Sequence, residues 1–365
     1  MSPGRFSEIV SRYRGLRVVV IGDFCLDRYL EIDPEREEVS IETGLPVHNI
    51  LQVRSQPGAA GTVLNNLAAL GVGCLLPVGF HGCDGEGFEL RRAMQDLPGV
   101  DLRFLVETPL RRTFTYTKPL LMHRNAPPQE LSRLDLKNWN PTPAVLGGEL
   151  AQALLSAAQT CDALVVMDQT DQPTTGTVVR EVLEAIGHLR TRRPELPIFA
   201  DSRSGLGRFP SCRYKLNAHE LARLLDSGGP LSPAECSVAA SKLAAKTGQP
   251  VYVTLSENGI LCAAPSLPPI RVPSLPVRGP IDVVGAGDCV TANLAAAVAA
   301  EAGVEESLEL AMLACSHVVH QLGTSGACSL SEMEKLLPLS SDKTAGEVNC
   351  STGMRPRDDR LGKRA

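Results

Sequence analysis

Three segments of this chain share one pattern: an apolar run closed by an aspartate. They are Arg17-Val18-Val19-Val20-Ile21-Gly22-Asp23, Ala163-Leu164-Val165-Val166-Met167-Asp168 and Pro197-Ile198-Phe199-Ala200-Asp201. Unbroken apolar runs of this length suit parallel strands covered on both faces. Leu75–Gly79, Lys215–Asn217 and Val251–Leu255 read as further strands. Between the runs, Thr62–Leu70, Gly87–Met94, Thr177–Arg190, Ala218–Leu225 and Gly287–Ala302 read as helices, the first closed by Gly71. Strands alternating with helices predict an α/β fold around a doubly wound, mostly parallel sheet. Ligands of such sheets bind outside the carboxyl ends of the strands. Asp23, Asp168 and Asp201 therefore fall along one functional edge.

Two segments break the alternation. Residues 31–56 and 112–123 are more polar, with period-two stretches around Val39-Ser40-Ile41, His48–Val53 and Phe114–Lys118. They predict exposed antiparallel strands that form a small sheet, a lid or a dimer surface, projecting from the core. The expected organisation is one domain over residues 1–337 and a polar, disordered tail over 338–365. Eleven cysteines lie scattered, without Cys-x-x-Cys pairs, and read as small buried hydrophobes in a reducing compartment. A net charge of -5 argues against nucleic acid or an anionic membrane as partner. No apolar run approaches the ~20 residues that span a bilayer. The reading is a cytoplasmic protein.

The stretch Ile281-Asp282-Val283-Val284-Gly285-Ala286-Gly287-Asp288 runs into an alanine-rich helix. Small residues let a ligand approach the backbone, and a helix N-terminus offers unpaired N–H groups to an anion. A carboxylate in that first turn, Asp288, is placed to take the proton of a hydroxyl attacking a phosphate. The amides of Gly285, Ala286 and Gly287 would stabilise the transferring group. The stretch is neither a Walker loop nor a dinucleotide fingerprint. Taken alone it also fits a plain glycine turn.

The segment resembles the C-terminal signature of the PfkB/ribokinase family of carbohydrate kinases, and within it most resembles the D-glycero-β-D-manno-heptose 7-phosphate kinases. Further matches follow in order: Gly22-Asp23 through Asp27-Arg28-Tyr29, Pro57-Gly58-Ala59-Ala60, Leu67–Gly71, Arg124-Asn125, Arg133-Leu134-Asp135, Leu216-Asn217-Ala218-His219-Glu220, Thr254–Gly259 and Leu322–Ser325. They cover residues 15–335. The resemblance implies a ribokinase-like fold with a small β-sheet lid, ATP as phosphoryl donor, and a sugar or sugar phosphate as acceptor. It implies Asp288 as base and Gly285, Ala286 and Gly287 as anion hole. Asp23, Asp27, Gly58, Arg124 and Arg133 would bind the acceptor. Asn217 and Glu220 would hold Mg²⁺ through water, and Thr254 and Gly259 would lie beside the nucleotide. For Asn217 and Glu220 the plain alternative is a helix capping box. A homodimer through the lid follows by analogy.

The departures fall on the acceptor and phosphate sides. Gly-Gly-Ala-Ala-Asn reads Gly58-Ala59-Ala60-Gly61-Thr62, and the lysine of Asp-Tyr-x-Lys-Gly is missing from Asp168–Gln172. Asp-Pro-Lys reads Asp201-Ser202-Arg203, and the signature threonine is Val284. The chain is expected to stop at phosphorylation, because only a short polar tail follows Leu337. Two alternatives stay open: a family kinase for another acceptor, such as a ketose phosphate or nucleoside, and a non-catalytic nucleotide- or sugar-binding relative. Arg111 and Arg112 read as a solvated strand face, and Trp139 as a packing residue.

Overall fold

The computed structural model describes residues 1–124 and 126–341, with side chains to Leu337. The expected tail over 338–365 lies almost wholly outside these residues. In chain order the strands are β1 (Arg17–Gly22), β2 (Phe24–Ile32), β3 (Glu38–Val39), β4 (Pro46–Val47), β5 (Ile50–Ala59), β6 (Cys74–Gly82), β7 (Leu105–Thr108) and β8 (Phe114–Leu121). They continue as β9 (Gln129–Glu130), β10 (Leu134–Leu136), β11 (Ala163–Asp168), β12 (Ile198–Ser202), β13 (Arg213–Asn217), β14 (Val251–Thr254), β15 (Ile260–Ala263) and β16 (Ile270–Val272).

A nine-stranded sheet runs in the order β16-β15-β14-β13-β12-β11-β1-β6-β7. From β7 to β14 every neighbour is parallel, and β15 and β16 close one edge antiparallel. Alternate residues of each strand feed two cores. Val18 and Val20 face helices Ala60–Ala69, Ala286–Ala299 and Val304–Val318, whereas Val19 and Ile21 face helices Ala144–Ala157 and Arg180–Arg192. Burial on both faces explains the unbroken apolar runs. The chain leaves β1 towards β6 and β7, then returns to build β11 to β14 on the other side. The strand order reverses between β1 and β11, which marks the crevice where ligands of such sheets bind.

The expected lid is present but larger and differently wired. β10, β8, β2 and β5 form a second sheet, with β9 paired to β8. β2 pairs antiparallel with β5 and parallel with β8, so the lid is mixed. It begins at Phe24, inside the segment expected to be a turn. β3 and β4 form a small separate hairpin. No helix among the described residues is long and apolar enough to cross a membrane. The ten described cysteines are unpaired; most are buried, but Cys83 is exposed. Arg111 corrects its expectation: it is buried and donates to the backbone carbonyls of Asn140 and Thr175 at 2.8 and 2.7 Å, tying two loops together. Trp139, expected to pack, is 69% exposed.

Candidate active site

Asp23, Asp168 and Asp201 do lie on adjacent strand ends, yet each is consumed by structure. Asp23 follows β1 and is 1% exposed. Its Oδ2 accepts from the Gln169 and Thr170 amides at 2.8 and 3.2 Å, and its Oδ1 from the Thr177 amide at 2.6 Å. Burial, then the nearby Asp168, pushes its carboxyl up to about 6. Asp23 staples the loop after β11 and lines neither cleft described below. Asp168 binds Arg208 at 2.7 Å and accepts from Ser202 and Ser204. Asp201 pairs with Lys215 at 2.8 Å.

Two clefts meet at the N-terminus of helix Ala286–Ala299. Gly285 caps that helix at φ +79, a left-handed conformation that glycine adopts without a Cβ penalty. The first cleft, of about 460 Å³, is walled by Asn217, Thr254, Gly259, Leu275, Val290 and Met312, and reaches the helix start at Ala286 and Gly287. Its walls are mostly apolar, with a few polar groups at one end, as a flat heterocycle joined to a charged tail requires. Thr254 Oγ1 donates to the Leu216 carbonyl at 3.4 Å. Gly259 turns the chain between β14 and β15 at φ +87, and a Cβ there would strike the Val272 carbonyl.

The second cleft, of about 400 Å³, lies on the other side of the helix start under the lid. Asp27, Tyr116, Lys118 and Arg133 reach it from the lid, Arg203 and Gln169 from the large sheet, and Gly285 and Asp288 from the helix. Asp27 is held by Lys118 Nζ at 3.3 Å and Ser325 Oγ at 3.3 Å. Gly58 does not line the cleft but makes room for it: a Cβ there would stand 2.8 Å from the Asp27 carboxylate. Burial works against the charge of Lys118, but Asp27 and Tyr29 together hold the ammonium pKa above its usual value. Arg133 stacks over the Tyr116 ring at 4.9 Å and pairs with Asp135 at 2.7 Å. Arg124, in contrast, is 81% exposed and pairs with Glu35 far along the lid, outside this cleft.

Asp288 sits where the clefts join. Burial pushes its carboxyl up to about 7; Asp201 adds to the rise, while Lys215 and Arg203 pull it back. A carboxyl poised there accepts a proton near neutral pH. Asn217 and Glu220 form the capping box in full: each backbone N–H donates to the other's side chain at 2.8 Å. Asn217 also faces the first cleft, whereas Glu220 lines an adjoining depression beside Arg208 and Arg223. Burial, followed by Asp201, raises the Glu220 pKa. The amide and carboxylate oxygens are the hard donors that Mg²⁺ takes, and their spread suits binding through retained water. Lys118, which the sequence marked among the cations of the second lid segment, does line the second cleft; Lys215 is the residue that reading the sequence missed. A lysine inside a short strand carries no local sign that its ammonium is buried.

Known proteins match this architecture throughout. The family model described as pfkB family carbohydrate kinase matches residues 16–331. Among curated proteins, the Bifunctional protein HldE of Caulobacter vibrioides is 30% identical over 86% of this chain and 62% of its own length. That of Bradyrhizobium sp. is 28% identical over 91% of this chain and 66% of its own. The chain thus spans just under two thirds of the curated relatives it matches. Among solved structures, Arabidopsis thaliana ribokinase complexed with ribose and ATP aligns at a TM-score of 0.60 and 21% identity, over 89% of this chain and 98% of that one. Escherichia coli phosphofructokinase-2 in complex with fructose-6-phosphate aligns at 0.66 and 18%, over 90% and 99%. The chain belongs to the pfkB family of carbohydrate kinases.

Proposed function

We propose that the chain transfers the γ-phosphoryl group of ATP to a hydroxyl of a sugar phosphate, with heptose 7-phosphate phosphorylated at C1 as the leading acceptor. The observation that carries this reading is the meeting of two clefts at one helix N-terminus with Asp288 at the junction. ATP fits the first cleft, its base against Leu275, Val290 and Met312 and its phosphates towards Ala286 and Gly287. The acceptor fits the second. Asp288 takes the proton of the attacking hydroxyl while the oxygen–phosphorus bond forms, the β–γ bridge breaks and ADP leaves. The Gly285 and Gly287 amides face the charge that develops on the phosphoryl oxygens, whereas the Ala286 amide, expected to join them, donates to the Val283 carbonyl at 3.2 Å. Mg²⁺ held through water by Asn217 and Glu220 would neutralise phosphate charge.

Lys118, Arg133 and Arg203 line the acceptor cleft. Three cations around one small cleft suit an acceptor that already carries a phosphate. They favour heptose 7-phosphate or a ketose phosphate over a nucleoside or a neutral sugar. The resemblance of the sequence motifs to those of heptose 7-phosphate kinases favours the heptose.

ADP release over a panel of free and phosphorylated sugars tests both points. Phosphorylated acceptors are expected to dominate, and a signal confined to free sugars or nucleosides would overturn the acceptor assignment. With the active acceptor, Asp288→Asn should lower kcat by about 10²–10⁴-fold while ATP still binds. For the native chain, kcat/KM should fall as pH drops below about 7, because a protonated Asp288 accepts no proton. Near-normal turnover by the Asn variant would sink the assignment of the base. We propose further that a second copy of the chain covers the exposed apolar face of the lid.

A further inference from the structure

Lys215 belongs to β13, where neighbouring Leu216 points into one core and Lys215 points the other way, beneath helix Ala286–Ala299. Its side chain is 7% exposed. The ammonium lies directly under the glycine loop: a Cβ on Gly287 would stand 2.9 Å from Nζ. Asp201 Oδ2 accepts one of its hydrogens at 2.8 Å and is steadied by Thr291 Oγ1 at 3.3 Å. An ammonium carries three donors, and Asp201 is its only hydrogen-bond partner among the described residues.

A buried ion pair contributes little net stability compared with apolar residues of similar size. This pair has a position that stability does not require. It touches the first-cleft side of the helix start, one residue from Asp288, between the places for donor phosphates and acceptor hydroxyl. We propose that Lys215 is a catalytic residue: its free ammonium hydrogens meet the phosphoryl group in flight between the clefts, and Asp201 positions them. The inference rests on the kinase reading above. Electrostatic stabilisation of this kind acts where charge develops and adds little to ground-state binding.

Lys215→Met, Asp201→Asn and the Asp201→Asn/Lys215→Met double variant test it. Lys215→Met leaves Asp201 buried and uncompensated and lowers the melting temperature; the double variant removes that conflict and should recover it. If Lys215 meets the phosphoryl group, the double variant is stable yet turns over about 100-fold more slowly, with ATP KM changed less than threefold. The probe independent of acceptor is ADP with aluminium fluoride, a mimic of the transferring phosphoryl. The double variant should lose most of the affinity that fluoride adds over ADP alone, while binding ADP normally.

Asp288 is faced by Asp201, Lys215, Arg203 and Asp27, and Lys215 in turn by Glu220. Lys215→Met should therefore move the acid limb of kcat/KM to higher pH, and Asp201→Asn to lower pH. A double variant with native kcat and native fluoride-dependent affinity would overturn the inference and leave Lys215 a counter-ion to Asp201. Should Asp288→Asn keep its turnover, the reading of the base fails instead. The two failures are thus read from different variants.

Discussion

Ala59 holds φ +54 and ψ -116 as the cap of helix Ala60–Ala69, in a region of backbone space that a Cβ disfavours. It also lines the second cleft, and this chain carries an alanine there where the family's signature has glycine. The strain is therefore local to that cleft. Ala59→Gly should stabilise the chain by about 1 kcal/mol, the relief of a strained residue less the entropy glycine adds to the unfolded chain. Thermal or urea unfolding measures this, and an unchanged or lowered stability would show that the left-handed conformation carries no cost. Thr62, one turn along, is 2% exposed and meets the loop: a Cβ on Gly285 would lie 3.5 Å from its methyl. Ala59 and Thr62, two of the three positions at which Gly58–Thr62 departs from the signature, thus both line the second cleft.

At the scale of elements, the capping box at Asn217 and Glu220 shows how one pair can serve two ends. Its hydrogen bonds fix the first turn of helix Ala218–Leu224, and Asn217 still faces the first cleft. Serine caps a helix as well as asparagine does, whereas alanine costs about 1 kcal/mol. Asn217→Ser should therefore keep the melting temperature and yet raise the KM for Mg-ATP. If KM is untouched, the residue is a cap and nothing more. The strands of the large sheet were legible because burial on both faces leaves an unbroken apolar run, as in Val18–Ile21 and Leu164–Met167. β2 was not: Asp27, Arg28 and Glu31 interrupt it, because one side of that strand belongs to a cleft and to the lid's salt bridges. Asp288, the glycine loop and Asp27 were recognisable by motif. Lys215 and Arg111 were not, since a cation is buried only by partners that lie distant in sequence, Asp201 for one and the Thr175 carbonyl for the other. Asp23 and Arg124 match a pattern, but their partners, three backbone amides and Glu35, turn both away from the cleft.

For the molecule as a whole, the lid presents its own surface to solvent. Ile41 is 99% exposed, Val39 and Leu45 64% or more, and Leu51 55%, while β5 forms an open edge of the lid sheet. Exposed apolar residues on the β3–β4 hairpin and on an unpaired edge strand of the lid call for a cover. The expected cover is a second copy of the chain. Analytical ultracentrifugation should find a dimer, and the double substitution Ile41→Glu, Leu51→Glu should yield monomers with the large sheet intact. A native chain that sediments as a monomer at every concentration would overturn this. The site itself is split between the two sheets. Asp27, Lys118, Tyr116 and Arg133 belong to the lid, whereas Asn217, Thr254, Lys215 and the glycine loop belong to the nine-stranded sheet and the helix it carries. On the proposed reading, the half that would recognise the acceptor and the half that would handle the phosphates are thus separate pieces of architecture joined along one seam. A lineage of such chains is free to exchange one sugar for another through drift in the lid, while the phosphate machinery passes on unaltered.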